Sequence, residues 1–118
     1  MGFSTETKVG AVRKAKRCDA CGKMVEVGQP AIKWAGTTDG DFGTLAYHVD
    51  CRAAEIALNK LHDTWSNEDW IGLWDFDWED ADWLLADYPE VAARKGITAE
   101  GIAEWTDRRR KIWSPANV

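Results

Sequence analysis

The chain has 118 residues, of which 45% are hydrophobic and 30% charged, and its formal net charge is −5. This composition is typical of a small folded protein and excludes a largely disordered one. Because no apolar run approaches the roughly 18 residues of a membrane span and no apolar leader begins the chain, we expect a cytoplasmic protein with no membrane partner.

The charge is unevenly divided along the chain. Residues 1–35 carry a balance of +4, whereas residues 36–118 carry a balance of −9. The basic part could contact phosphate groups, but the acidic part would be repelled by them. The sequence therefore excludes a chain that coats nucleic acid along its whole length.

The predicted elements begin after a flexible amino terminus at residues 1–12. Residues 24–34 are rich in β-forming residues and are interrupted by Gly, Gln and Pro at 28–30, which predicts a β-hairpin. Residues 36–43 hold three glycines and two aspartates and predict an exposed loop. Residues 45–47 are predicted to form a short strand.

Helices are predicted in the remainder of the chain. Residues 50–65 contain no Gly or Pro and predict a helix. Ser66 begins a capping pattern that predicts another helical segment, and Thr98 is predicted to cap the last helix. The apolar positions with helical spacing in the first of these helices are Ala53, Ala54, Ile56, Ala57, Leu58, Leu61 and Trp65.

All three cysteines and one of the two histidines fall into two closely spaced pairs. Two residues separate Cys18 from Cys21, and two separate His48 from Cys51. Three thiolates and one imidazole complete a tetrahedral shell for Zn²⁺, and this spacing lets both members of a pair reach one ion. The sequence thus predicts one structural zinc ion; the alternative is a set of ordinary buried cysteines and a core histidine.

The cysteine usage also bears on compartment and catalysis. An odd cysteine count argues against a self-contained disulfide framework and favours a reducing compartment. Once zinc takes four ligands, His62 is the only remaining histidine, and the metal has no vacant position for an activated water. We therefore expect a protein that is not an enzyme and has no small-molecule substrate.

Three motifs resemble a known class of zinc finger. They are Arg17-Cys-x-x-Cys-Gly, the stretch from Val27 to Trp34, and Tyr47-His-x-x-Cys. Together they cover residues 13–60 and resemble treble-clef fingers of the poly(ADP-ribose) polymerase type, and secondly the first half of a LIM domain. The resemblance implies a knuckle, a β-hairpin and a helix around one zinc, and it suggests binding to DNA ends. The ligands carried over are Cys18, Cys21, His48 and Cys51.

The predicted fold class is accordingly α+β, with a treble-clef-like zinc module followed by short packed helices. The module is expected at residues 13–65. The extension at residues 66–118 is expected to pack on it. Residues 65–90, at the start of that extension, hold nine acidic residues and no basic one.

The acidic extension suggests the first functional interpretation. Its tryptophans would form a stripe on one continuous helix, or would pack in the core if the segment breaks into two short helices near Gly72 and Asp75. We interpret the chain as a non-enzymatic zinc-stabilised regulator or inhibitor, of bacterial or phage type, that binds a basic or nucleic-acid-binding protein. The candidate partner-binding residues are Trp70, Trp74, Asp75, Asp77, Trp78 and Asp80. A solvated acidic face is the alternative.

The second interpretation is a zinc finger that binds nucleic acid through the basic first part. Cations there could meet phosphates while a tryptophan stacks on a base. The alternative is that the cations are solvated and offset the charge of the zinc site, with the tryptophan in the core. The candidate residues are Arg13, Lys14, Lys16, Arg17, Lys33 and Trp34.

Overall fold

The computed structural model describes residues 4–38, 41–64 and 69–113. The chain divides into two units, Met1–Phe76 and Asp77–Val118. The predicted α+β class is confirmed, with an antiparallel sheet and a helix in the first unit and short helices in the second. The division after Phe76 comes later in the chain than the boundary expected at residue 65.

The first unit is built on a three-stranded sheet. In chain order its described elements are β1 (Ser4–Val9), β2 (Lys16–Arg17), β3 (Met24–Val25), β4 (Ala31–Thr38), β5 (Asp41–His48) and α1 (Val49–His62). Strand β4 lies between β1 and β5, and β2 pairs with β3 in a separate ribbon. Trp34 lies opposite Glu6 on one side and Leu45 on the other, so these side chains share one face of the sheet.

The two faces of this sheet have different environments. Arg52 of α1 forms an ion pair with Glu6, which places the helix over the face that carries Glu6 and Trp34. The opposite face carries Lys33, whose side chain is exposed. We call these the helix face and the open face, the second being defined by Thr5, Thr7, Lys33 and Thr44.

The amino-terminal segment corrects one prediction. Residues 4–9 form β1 within the segment expected to be flexible, and Val12 is buried. Strand β1 gains its order from pairing with β4, for example Thr7 with Lys33. Its side chains are mostly exposed, so the local sequence shows no apolar alternation that would have predicted a strand.

The hairpin predicted over residues 24–34 is wrong. Strand β3 pairs with β2, and β4 pairs with β1 and β5. The intervening residues instead form a turn, in which Gly28 has a φ of +91° and donates its amide hydrogen to the carbonyl of Val12 at 2.9 Å. Gln29 accepts from the Val12 amide at 2.9 Å, so this turn pairs with an earlier part of the chain.

The loop predicted over residues 36–43 is also corrected, because strands extend into it from both sides. β4 continues to Thr38 and β5 begins at Asp41. Gly36 is paired with Ser4 on one side and Gly43 on the other. Hydrogen bonding on both edges of the central strand outweighs the turn preference of these glycines and aspartates. The short strand expected before His48 is confirmed as the end of β5.

The predicted first helix is confirmed as α1, but its buried face differs from the apolar positions in the sequence. Leu61 is 54% exposed and Ile56 is 38% exposed, whereas Glu55 and Asn59 are fully buried. The helix ends at Asp63, whose left-handed conformation has a φ of +57°. The buried positions are Cys51, Arg52, Ala54, Glu55, Leu58 and Asn59.

The segment after α1 is not a continuous helix. Residues 65–68, which include the predicted cap at Ser66, lie outside the described residues. Residues 70–72 have no helical structure, and single 3₁₀ turns follow at Leu73–Asp75 and Trp78–Asp80. Of the two arrangements that the sequence left open, a stripe of Trp70, Trp74 and Trp78 along one continuous helix is not formed, and a break near Gly72 and Asp75 is observed.

The second unit consists of helices α2 (Ala81–Asp87), α3 (Pro89–Arg94) and α4 (Ala99–Trp113) in its described part. The predicted cap is confirmed, because the hydroxyl of Thr98 accepts from the Gly101 amide at 3.0 Å. The buried side chains of this unit include Leu84, Val91 and Ile97. No helix in the described parts of either unit has the length and apolarity needed to cross a membrane.

Candidate metal centre and the surfaces around it

Four residues from two parts of the first unit converge on one point. Cys18 and Cys21 lie in the connection between β2 and β3, His48 ends β5, and Cys51 lies in the first turn of α1. Their ligand atoms all lie within 4.8 Å of one another. The thiols are not joined in a disulfide. The predicted set is therefore assembled as expected.

The spacing of these atoms fits one tetrahedral ion. Nδ1 of His48 lies 3.4 Å from Sγ of Cys21 and 3.8 Å from Sγ of Cys51. Zinc bonds of about 2.3 Å to sulfur and about 2.0 Å to nitrogen place such atoms about 3.6 Å apart at a tetrahedral angle. The four residues are thus positioned to bind one metal ion, and three sulfurs with one nitrogen are a donor set typical of zinc.

The imidazole of His48 is oriented by a second contact. Its Nε2 lies 3.1 Å from the carbonyl oxygen of Met24 in β3, which can only accept, so Nε2 carries the hydrogen. Nδ1 is then the nitrogen with a free lone pair, and it is the one that faces the sulfurs. A hydrogen bond of this kind fixes the tautomer and orientation of a metal ligand.

The first cysteine pair lies on a tight turn that directs backbone amides at sulfur. Gly22 has a φ of +79°, which a residue with a side chain rarely adopts, and its amide donates to the carbonyl of Cys18 at 2.9 Å. The Lys23 amide lies 3.4 Å from Sγ of Cys21. This geometry stabilises negative charge on the sulfurs, as a metal-binding knuckle requires.

The thiolate form of Cys18 is favoured by its neighbours. The nearby thiol of Cys51 lowers the pKa of Cys18 most strongly, burial opposes this, and amides of Cys21, His48 and Ala20 lower it further, to about 4. Since the thiolate is the form that binds metals, Cys18 is prepared to act as a ligand at neutral pH.

Asp19 attaches this turn to the sheet, a role that the sequence did not suggest. Its Oδ2 accepts from the Ala46 amide at 2.7 Å, and its own amide donates to the Ala46 carbonyl at 2.8 Å. These bonds satisfy the backbone amide and carbonyl of Ala46 in β5. They also join the turn that carries Cys18 and Cys21 to the strand that ends at His48. An aspartate two residues before a cysteine ligand has no local signal that would distinguish it from a solvated one.

A buried polar network lies beneath the helix face and was also missed. The guanidinium of Arg52 pairs with Glu6, with Nε to Oε1 at 2.8 Å, and with Glu55 at 2.5 Å. Burial opposes the charge of Arg52, but Glu6 and then Glu55 raise its pKa above the ordinary value. Burial, followed by the charge of Glu55, raises the pKa of Tyr47.

Glu55 and Asn59 attach the segment after α1 to the helix. The second oxygen of Glu55 accepts from the Leu73 amide at 2.8 Å. Asn59 donates to the Ile71 carbonyl at 2.8 Å and accepts from the Ile71 amide at 2.7 Å. Because both side chains are fully buried, these bonds fix the path of the chain around Gly72.

Part of the predicted nucleic-acid set lies together on the open face. A groove of about 600 Å³ there is lined by three of the six predicted residues, all of them cationic. Trp34 also borders it, but its half-buried side chain lies on the helix face, so this ring is not placed to stack on a base in the groove. Arg13 and Lys14 are exposed in the preceding loop and do not line it. We call this the basic groove; its cations are Lys16, Arg17 and Lys33, and its hydroxyls belong to Thr5, Thr7 and Thr44.

The predicted partner-binding set is divided between the two units. Trp70, Trp74 and Asp75 belong to the first, and the other members, Asp77, Trp78 and Asp80, belong to the second. Within the first, Trp70 is half-buried and Trp74 is 52% exposed. Within the second, the ring of Trp78 packs near Gly101, and Trp83 contacts Tyr88 edge-on at 5.8 Å.

The fold and this site together define an α+β protein with a Cys₃His centre that is positioned to bind one metal ion. No family model, no curated protein and no solved structure matches the chain. The interpretation of the centre and its surfaces therefore depends on the geometry of these residues.

Proposed function

We propose that the chain is a non-enzymatic module, stabilised by one structural zinc ion, that binds the phosphate backbone of nucleic acid through the basic groove. The observation that carries this proposal is the convergence of Lys16, Arg17 and Lys33 on one groove of the open face. Zinc is the metal that best suits three thiolates and one imidazole, and four such ligands leave no open position for catalysis. The order of the Cys18–Cys21 knuckle, the antiparallel β4–β5 pair and α1 is the order that the treble-clef resemblance implies, although the hairpin differs from the one predicted over residues 24–34.

The charges of the basic groove support an anionic ligand. Neither Lys16, Arg17 nor Lys33 forms an ion pair with a carboxylate within the described residues. Lys33 is the main cause that lowers the pKa of Lys16, which indicates that the two ammonium groups lie close together. A phosphate between them would relieve this repulsion.

The remaining lining of the groove is compatible with that ligand. Thr5, Thr7 and Thr44 are exposed and supply hydroxyl groups, which commonly contact phosphate oxygens. The one carboxylate that lines the groove, Asp19, already accepts the Ala46 amide. The groove therefore has three cations against one carboxylate.

The test is the salt dependence of DNA binding by a double variant. Lys16→Gln with Lys33→Gln should weaken binding to a short labelled DNA and make the slope of log K against log salt shallower by about 1.8, since each lost phosphate contact contributes about 0.9. Fluorescence anisotropy over a salt series, with duplex and single-stranded probes, measures both quantities.

The matched control removes two cations elsewhere. Lys8→Gln with Lys60→Gln changes the net charge equally, but neither residue lines the basic groove. This control should keep the slope of the unmodified protein. Equal slopes for both double variants, or no binding to either probe at low salt, would contradict the proposal.

The first sequence interpretation, a protein partner bound by the acidic tryptophan-rich part, stays a prediction. Its six candidate partner-binding residues belong to two units. The ring of Trp70 already contacts the guanidinium group of Arg52 within the chain. The exposed indole of Trp74 favours it.

A further inference from the structure

A second groove of the first unit has walls made mainly of aromatic rings. Its volume is about 520 Å³, which is within the usual range of ligand sites. Ser4 and Gly43 also border it, and Arg52 lies in its lining. We call it the aromatic groove; its rings belong to Trp34, Tyr47, Trp70 and Trp74, and Phe42 also borders it although strand alternation places its side chain on the open face.

The exposed wall of this groove is held in place by the backbone beneath it. A Cβ added to Gly72 would lie 2.3 Å from two ring atoms of Trp74, so the indole lies directly on this glycine. The buried Glu55 and Asn59 fix the residues on either side of Gly72. Trp74 is therefore 52% exposed while its indole packs on a fixed segment of backbone. A ring held in this way loses little conformational entropy when a ligand binds to its exposed face.

The charged groups at the aromatic groove favour a cation over an anion. Arg52 directs Nε and one terminal nitrogen to Glu6 and the other to Glu55, so its charge is offset twice. Asp41 lines the groove as a further carboxylate. These four residues sum to a formal charge of −2, which disfavours a carboxylate or phosphate ligand.

The walls of the groove already accept a guanidinium group. The guanidinium carbon of Arg52 lies 5.2 Å from the ring centre of Tyr47 and 5.3 Å from that of Trp70. Planar guanidinium groups stack on aromatic faces more favourably than ammonium groups do. Trp74, which is 52% exposed, offers further ring surface to solvent.

We propose that the aromatic groove binds the arginine side chain of a basic segment in a protein partner, with the guanidinium against Trp74 and its charge facing Asp41. The partner's cation is complementary to the carboxylates, and the flat rings suit its shape. The two grooves share Trp34, Thr44 and Leu45 in their linings, but the cations of the basic groove do not line the aromatic groove, so this inference does not rest on the nucleic-acid proposal.

The probe is a capped pentapeptide with arginine at its centre, and the matched peptide carries citrulline, its neutral isostere. NMR titration of the tryptophan indole N–H signals should show the Trp74 signal moving with the arginine peptide and little movement with citrulline. A lysine peptide should bind more weakly than the arginine peptide, because its ammonium group does not stack.

Variants connect this binding to the groove. Trp74→Ala should weaken arginine-peptide binding about five- to tenfold, and Asp41→Asn should weaken it by a smaller factor. Because Asp41 is exposed, Asp41→Asn keeps the inference testable if Trp74→Ala alters the fold. Trp105→Ala, in the second unit, and the Lys16→Gln/Lys33→Gln variant should bind the peptide as the unmodified protein does.

Two outcomes would overturn this inference. One is equal binding of the arginine and citrulline peptides, or no binding of either. The other is unchanged arginine-peptide binding when both Trp74 and Asp41 are replaced. Because the lysine double variant separates this site from the basic groove, failure of one proposal is distinguishable from failure of the other.

Discussion

Chelation of the metal is expected to unfold the first unit. The four ligands join the turn after β2 to the end of β5 and the start of α1, so the metal connects parts of the chain that are distant in sequence. Structural zinc in small fingers contributes on the order of 10 kcal/mol to folding at neutral pH. A zinc chelator should therefore remove the near-ultraviolet circular dichroism of the buried aromatic residues and much of the thermal transition.

The two histidines provide a matched pair for this prediction. His48→Ala removes one ligand and should lower both zinc content and thermal stability severely. His62→Ala changes the other histidine, which is exposed at the end of α1 and lies outside the cluster. It should retain one zinc per chain. Unchanged stability after chelation, or equal zinc content in the two variants, would show that the cluster is not a structural metal site.

Glu55→Ala is expected to give the second-largest loss of stability. Glu55 is fully buried, pairs with Arg52 and accepts from the Leu73 amide. Removing one member of a buried ion pair costs about 3–5 kcal/mol. Since Arg52 keeps its pair with Glu6, we expect a loss near the lower end of that range, part of which comes from the Leu73 amide left without its acceptor. Urea unfolding of the zinc-loaded variant measures this loss as a lower free energy of unfolding.

Two further variants identify the cause of this loss. Glu55→Gln keeps an acceptor for Leu73 but removes the charge, so its stability should lie between those of the unmodified protein and Glu55→Ala. Glu26→Ala changes an exposed glutamate and should alter the free energy of unfolding by no more than about 0.5 kcal/mol. If Glu55→Ala is as mild as Glu26→Ala, the buried network does not stabilise the fold as described.

The metal centre could be predicted because its signal is local. Each half consists of two ligands separated by two residues, and the chemistry of zinc limits which residue types can serve. Helix α1 was predictable for a similar reason, because residues 50–65 contain no Gly or Pro and their apolar positions have helical spacing. The strands were harder, because β1 and β3 owe their pairing to distant residues that local propensity does not reveal.

The buried network could not be predicted from the helical pattern. The apolar positions with helical spacing include Ile56 and Leu61, which are exposed, and omit the polar residues Glu55 and Asn59, which are buried. These polar residues are buried because backbone groups at Ile71 and Leu73 need partners, and only polar side chains can supply them. The buried face of α1 is therefore decided by the residues that follow this helix in the chain.

The two grooves also depend on distant pairing. Lys16 and Lys33 become neighbours only when the β2–β3 ribbon lies beside the sheet, and Trp34 and Trp74 only when the segment after α1 folds back. The sequence named Trp74 and Lys33 as candidate binding residues. It placed Trp74 in a set that the structure divides between two units, and Lys33 in a set of which Arg13 and Lys14 do not line the groove. Charge and exposure of the assembled unit, rather than composition, support the two proposed binding sites.

The most direct test of this account is X-ray absorption spectroscopy at the zinc edge of the purified protein. The Cys₃His centre predicts one zinc per chain, with three sulfurs at about 2.3 Å and one nitrogen at about 2.0 Å. Cys51→Ser should reduce the sulfur count to two or abolish binding. A metal shell made mainly of oxygen ligands, or a zinc content that does not depend on Cys18, Cys21, His48 and Cys51, would contradict it.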